Sequence, residues 1–197
     1  MEIRGNVIMN IYVVRHGETD WNKNNMLQGK TDIELNENGI ESAKILAEKL
    51  KDVKFDIVYS SPLKRALDTA KYICKEKSYK IQEDSRLIER SFGDYEGKKM
   101  TKNEILDYWN YNLDLSNNNV ESIKSFIDRV YVFLKEIYLK YEKTDFNILI
   151  VAHNGISMAI ESIINGFPKN FLELRIKNCE YKIFEKVNIK EENYKKE

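Results

Sequence analysis

Two histidines and two cysteines are all that this 197-residue chain contains of either type. Cys74 falls in a helical pattern and Cys179 far away in a strand-like one. That excludes a disulfide framework and suits a reducing, cytoplasmic compartment. Two histidines without clustered carboxylates do not make a metal centre, so no metal and no cofactor is expected. There is no surplus of charge either, since Lys+Arg and Asp+Glu both number 32. No overall field therefore favours nucleic acid or a membrane surface, and any attraction for an anionic substrate must be local. No apolar run is long enough to span a bilayer, and no signal peptide is visible. Linkers, internal repeats and low-complexity stretches are missing too. Residues 1–197 thus read as one domain, large enough for a sizeable core. Met1 to Ile8 reads either as a short extension ahead of the first strand or as the result of an upstream start, with Met9 opening the compact part, and nothing in the sequence sets the oligomeric state.

What is there begins with the placement of those two histidines. Ile11-Tyr12-Val13-Val14 is a β-branched and aromatic run, the signature of a buried strand. It ends at Arg15-His16, and Gly17 allows a sharp turn. A second apolar run, Phe146 to Val151, ends at Ala152-His153-Asn154-Gly155. Each histidine closes a strand, which is where open α/β sheets bind their ligands. A single histidine so placed would ordinarily be a core residue; two matching placements point to a site.

The intervening chain alternates helical and strand patterns. Asn22 to Leu35 has neither period and reads as a long ordered loop. A helix runs from about Asn36, as cap, to Lys51, burying Ile40, Ala43, Leu46, Ala47 and Leu50. Asp56 to Ser60 is a short strand. Ser61-Pro62 predicts the next helix start, with a cap residue followed by proline at the first helical position; that helix carries Arg65. Tyr79 to Gln82 reads as a third strand. A glycine-punctuated, charged loop follows from Arg86 to Gly97, and Thr101-x-x-Glu104 is a capping box opening a helix to about Tyr108. After the Ser116–Asn119 break, a long amphipathic helix runs to about Glu142 through Ile123, Phe126, Ile127, Val130, Leu134, Ile137 and Tyr141. Helix Gly155–Ile164 stops at Asn165-Gly166, Asn178 to Val187 is a last strand, and Asn188 to Glu197 is a charged, frayed tail. This alternation predicts an α/β three-layer sandwich: a mostly parallel sheet flanked by helices. The segment of about 89–119 would form a small helical lid over its C-terminal edge.

Arginine forks suit phosphate oxygens, and phosphoryl transfer is catalysed mainly by positioning and electrostatics. A neutral imidazole, held through its other nitrogen, can supply the attacking atom. Backbone N–H groups at Asn154-Gly155, opening a helix, could face an anion. These elements meet in a recognisable order. Arg15-His16-Gly17-Glu18-Thr19-x-Trp21-Asn22 resembles the signature of the histidine phosphatase superfamily, the phosphoglycerate-mutase-like proteins. Leu27-Gln28-Gly29 with Asp32, then Ser60-Ser61-Pro62-Leu63-x-Arg65-Ala66, then Leu87-x-Glu89-x-x-Phe92-Gly93-x-Tyr95-Glu96-Gly97, and finally Val151-Ala152-His153-Asn154-Gly155 resemble its later blocks. The resemblance covers about residues 8 to 165.

It implies that His16 becomes phosphohistidine, while Arg15, Arg65 and His153, with Asn22, hold the transferring group. Glu89 would be the general acid and then the base for water. Gln28, Gly29 and Asn154 would belong to the substrate pocket. Tyr95 stands where the family often has Trp, Asn154 where it often has Gly, and Ser116 to Ser122 replaces a proline-rich, Gly-Glu approach to the long helix. None of these departures removes a catalytic group. Glu89 also has a plainer reading, as an ion-pair partner of Arg86 or Arg90, with Glu96 the next candidate for the acid. The Tyr108, Trp109 and Tyr111 cluster reads as lid core. The implied activity is a phosphomonoesterase acting on a small phosphorylated metabolite. Its rivals are a phosphoglycerate mutase, which resembles a longer chain with a larger insertion, and a catalytically idle phospho-ligand-binding module.

Overall fold

The computed structural model describes residues 9–77 and 79–189. The expected extension Met1 to Ile8, and all but the first two residues of the charged tail, lie outside them. The two apolar runs that end at histidines become β1 (Asn10–Arg15) and β4 (Asn147–Ala152). They pair in parallel, with Asn10 opposite Asn147 and Arg15 opposite Ala152. That register carries the next residue of each strand, His16 and His153, past the same sheet edge side by side. On the far side of β4 lies β2 (Ile57–Ser60), parallel to it, and beyond that β3 (Ile81–Glu83). The other side of β1 is closed by β5 (Tyr181–Phe184), which is antiparallel. The order β3-β2-β4-β1-β5 makes the sheet mostly parallel, as the alternation predicted.

Period-two alternation along the strands divides the core in two. Val14, Val58, Leu149 and Val151 pack with Leu46, Leu50, Phe55, Ala70 and Ile73 beneath α2 (Glu37–Lys49) and α3 (Lys64–Cys74). Ile11, Val13, Ile148 and Ile150 face the opposite way, onto α5 (Ile123–Tyr141) and α6 (Asn154–Asn165). Helix α5 buries every residue its 3.6 period nominated, each at 8 % exposure or less. In α2 the expected stripe is narrower: Ala43, Leu46 and Leu50 are buried, whereas Ile40 and Ala47 are half-buried. No helix among the described residues is long and apolar enough to cross a membrane.

Four local readings are corrected. The stretch read as a long ordered loop from Asn22 opens inside a short helix, α1 (Asp20–Lys23), held by a Thr19–Asn22 capping box. Helix α3 starts two residues later than Ser61-Pro62 implied, with Leu63 at its cap and no side-chain cap bond of its own. The first helical N–H, that of Lys64, is satisfied by Asp32 at 2.8 Å, from a loop far away in sequence. The third strand is shifted to Ile81–Glu83, and Tyr79 ahead of it accepts the Phe55 N–H at its hydroxyl, at 3.1 Å. The last strand spans only Tyr181–Phe184. Cys179 bends the chain with φ of 54°, and Asn178 turns to the end of β1.

The chain between β3 and α5 includes α4 (Lys102–Tyr108) with the expected capping box at Thr101. Buried Arg90 binds this lid together, donating to the carbonyls of Glu121 at 2.7 Å, Leu115 at 3.4 Å and Tyr108. Trp109 packs edge-on against Phe92 and Phe126 and stacks on Phe171, 5.5 Å between ring centres. Glu96 ties the lid to the first loop. Its carboxylate accepts the N–H groups of Lys30, Thr31 and Phe92, which makes it a staple between the two.

Candidate active site

His16 is 4 % exposed, and its Nδ1 lies 2.7 Å from the Gly17 carbonyl oxygen. A carbonyl only accepts, so Nδ1 carries the hydrogen and Nε2 keeps a lone pair. Burial, then the charges of Arg65 and Arg15, push the imidazole pKa well below 6.5, with the Gly17 contact opposing in part. The ring is therefore neutral at pH 7. Its backbone is splinted by the chain before β5. Asn178 Nδ2 donates to the carbonyls of His16 and Gly17 at 3.0 and 3.2 Å, and the Cys179 N–H donates to that of Arg15 at 3.1 Å. Gly17 has no room for a side chain, since a Cβ would lie 2.6 Å from the Gly39 carbonyl oxygen.

Two guanidiniums flank this ring. Arg15 donates from Nη1 to the Ile176 carbonyl at 2.7 Å, and its buried Nε has no protein partner. Arg65, fully buried in the first turn of α3, donates to the carbonyls of Thr31 and Gly29, both at 2.8 Å, and its Nε is likewise unpartnered. Burial pulls the Arg65 pKa down to about 10, which leaves it charged at pH 7. Two buried, unsatisfied cationic donors are costly unless an anion completes them. Asn22 faces the same space. Its Oδ1 accepts from the Thr19 N–H, the Thr19 hydroxyl and Asn178 Nδ2, which leaves its NH₂ to be offered outward.

His153 is fully buried behind His16, with ring centres 5.2 Å apart. Here Nε2 is the engaged nitrogen, 2.8 Å from Ser61 Oγ, and buried Nδ1 has no protein partner. Ser61 Oγ already accepts the Leu63 N–H at 3.4 Å. With the hydroxyl donating to Nε2 the neutral ring carries its own hydrogen on Nδ1, and with the tautomer reversed Nε2–H donates to Ser61 Oγ. Burial, with Arg65 next, holds this pKa well below 6.5 as well.

Glu89 is not an ion-pair partner of its sequence neighbours. Arg86 pairs with Asp84 and Glu136, and the Arg90 side chain is spent on carbonyls. The Glu89 carboxylate instead accepts two backbone N–H groups, of Arg90 at 2.9 Å and of Gly155 at 3.0 Å. So the α6 N–H expected to face an anion directly is taken by this carboxylate. Gly155 makes the approach possible, because a Cβ there would sit 2.3 Å from Glu89 Oε1. Arg129 on α5 fixes the same strand of chain, donating to the carbonyls of Arg86, Ile88 and Glu89.

Arg15, His16, Asn22, Gln28, Gly29, Arg65, Glu89 and Asn154 line one cavity of about 120 Å³, together with Met26, Leu27, Phe92, Trp109 and Arg175. Every expected site residue except His153 is thus on its wall, and His153 backs it. Asn154 reaches it from α6, with Oδ1 accepting the Ile176 N–H at 3.0 Å. A larger groove of about 450 Å³, against α2 and α3, holds no imidazole, guanidinium or thiol. Sequence reasoning missed Ser61, read as a helix cap, and Arg175 and Arg129, which no motif marks. It read Trp109 as lid core; its ring also walls the cavity. Among the described residues no group of three His, Cys, Asp or Glu side chains could hold a metal ion.

The arrangement presents a neutral imidazole nitrogen, two guanidiniums and a carboxyl group on the wall of one cavity. Comparison with known proteins agrees with that chemistry. An uncharacterized phosphatase of Bacillus subtilis is 36% identical over 169 residues, covering 86% of this chain and 84% of its own. A phosphoglycerate mutase of Schizosaccharomyces pombe is 32% identical over 167 residues, covering 79% of each. The crystal structure of the alpha-ribazole phosphatase from Shigella flexneri superposes with a TM-score of 0.74 at 28% identity, over 92% of this chain and 95% of that one. The model of the histidine phosphatase superfamily, branch 1, matches residues 11–192, a span that contains both strand ends and the lid between them; the chain belongs to that superfamily.

Proposed function

We propose that the protein is a metal-independent phosphomonoesterase that hydrolyses a small phosphorylated metabolite through a phosphohistidine at His16. The observation that carries this reading is the hydrogen bond from His16 Nδ1 to the Gly17 carbonyl, which leaves a neutral Nε2 beside Arg15 and Arg65. In the first step Nε2 attacks phosphorus, and Glu89 gives its proton to the leaving alkoxide. In the second, water attacks the phosphohistidine, and Glu89 takes the proton back while inorganic phosphate leaves. Arg15, Arg65, Asn22 and the Nδ1–H of His153 stabilise the equatorial oxygens in both. The arginines supply the positive charge that a metal ion would otherwise bring.

Rapid quench with labelled substrate, in the presence of a chelator, tests this reading. Acid-labile, base-stable label on His16 is the expected result. Label on a serine or aspartate, or turnover lost in chelator and restored by Mg²⁺ or Zn²⁺, would overturn it. The similarity to a phosphoglycerate mutase favours one second reading. Interconversion of 2- and 3-phosphoglycerate faster than phosphate release would establish that reading instead.

A further inference from the structure

Arg175 belongs to no motif, yet it lines the cavity beside Glu89, Asn154 and Trp109. Its backbone is well placed. The Arg175 N–H donates to the Leu172 carbonyl at 3.4 Å. On its other side, Ile176 is gripped twice: its N–H by Asn154 Oδ1 at 3.0 Å, and its carbonyl by Arg15 Nη1 at 2.7 Å. Residues of the site itself therefore hold the base of this side chain on the cavity wall. The guanidinium, by contrast, makes no hydrogen bond or ion pair among the described residues. Arg15, Arg65, Arg86, Arg90 and Arg129 are all engaged with carbonyls or carboxylates.

Depth separates its task from theirs. His16 and Arg65 are buried and Arg15 half-buried, whereas Arg175 is exposed, so it stands at the mouth while the phosphoryl cations lie at the floor. The carboxyl group it senses most is Glu89, the group that must meet the leaving oxygen. A cation at the mouth, near the acid, faces the leaving group of the substrate and not the phosphorus. Charge counting gives the same answer. With Glu89 in its acid form, Arg15 and Arg65 already balance a dianionic phosphoryl group, and Arg175 is left over. A planar fork with free donors matches a carboxylate two-pronged. A cavity of about 120 Å³ leaves room for only a short linker between the two anions.

Resting on the phosphomonoesterase reading, we propose that Arg175 is a specificity residue that binds a carboxylate on the leaving group. The preferred substrates are then short phosphomonoesters of hydroxy acids. Equilibrium binding to inert phosphonates isolates this claim from turnover. Calorimetric titration of the whole protein would use 3-phosphonopropionate and 4-phosphonobutyrate against their carboxylate-free counterparts, propylphosphonate and butylphosphonate. The wild type should bind at least one carboxylated member roughly 10- to 100-fold more tightly than its counterpart, the value of a charge-assisted pair. Arg175→Gln should erase that preference and leave the affinity for the alkylphosphonates within about threefold. No preference in the wild type, or equal weakening of all four ligands in Arg175→Gln, would overturn the assignment. The turnover arm uses 2-phosphoglycolate against ethyl phosphate. Absence of hydrolysis of either, with the binding preference intact, would sink the phosphatase reading and leave the carboxylate subsite standing.

Discussion

His16 and His153 occupy equivalent places, one residue beyond adjacent parallel strands, and yet they hydrogen-bond through opposite nitrogens. His16 gives its Nδ1 hydrogen to a carbonyl and keeps a lone pair at Nε2. His153 engages the Ser61 hydroxyl through Nε2 and leaves Nδ1 without a protein partner. In the proposed mechanism this contrast makes one ring the nucleophile and the other a donor. Strand-end position says that both belong to a site; the partner of the second nitrogen says which does what. Both rings stay neutral for one reason, burial next to Arg65 and Arg15.

The largest effect should come from exchanging the roles for nothing. His16→Ala should cost at least about 10⁴-fold in turnover, as removal of a nucleophile does, and yield no trapped phosphoenzyme. His153→Ala removes one stabilising donor and should cost about 10²–10³-fold, with labelled His16 still recoverable after alkaline quench. Loss of label in His153→Ala and its retention in His16→Ala would invert the comparison.

Glu89 sharpens the contrast from the leaving-group side. Glu89→Gln keeps size and polarity but cannot give up an acidic proton. In single turnover the phosphorylation step should slow by about 10²–10⁴-fold for an alkyl phosphate, and far less for p-nitrophenyl phosphate, whose phenolate leaves unaided. Equal losses for both would make the carboxylate a structural staple of Arg90 and Gly155.

In the proposed mechanism Ser61 orients His153 as a donor through the contact at Nε2, and its contribution should be smaller. Ser61→Ala should lower kcat about fivefold, the worth of one ordinary hydrogen bond. In a His153→Ala background the same change should do nothing further, since a residue acting only through His153 has nothing left to act on. Additive losses in the double variant would separate Ser61 from the imidazole.

The smallest effect is on stability and depends on pH. Both histidines have folded pKa values below their unfolded value near 6.5. Protonation therefore favours the unfolded chain. Their contribution is fully present above pH 6.5 and is lost as pH falls below it, by at most ~1.4 kcal/mol per pH unit for each ring. A melting temperature that is level from pH 7 to 8 and declines below 6.5 is expected, with the decline halved in His153→Gln. An unchanged acid slope in that variant would assign the effect to other groups.

The floor of this site was legible because strand periodicity and parallel pairing are local rules with one outcome. Apolar runs of like length, each ending in histidine, align their ends once they pair. Its wall was less so. Ser61 ahead of Pro62 has the chemistry of a helix cap, and only the fold reveals that Asp32 does that work and frees the hydroxyl for His153. Glu89 between Arg86 and Arg90 invites an ion pair in sequence, but Asp84, Glu136 and three lid carbonyls claim those guanidiniums first. Arg175 carried no signal at all, because its meaning lies in where Asn154 and Arg15 hold its neighbour.

The position of β1 between β4 and β5 has a consequence for the order in which the protein is made. Both of its hydrogen-bonding neighbours lie in the last third of the chain, and so do Asn178 and Cys179, which splint His16. On the ribosome the strand that leads to His16 emerges first and is paired last. It waits roughly 10–30 s at ordinary synthesis rates with both edges open, while β2 and β3 can already join. A nascent chain that stops short of β4 carries the whole signature motif but neither His153 nor the partners that flank β1 in the sheet. Its apolar first strand is then the segment most in need of a chaperone.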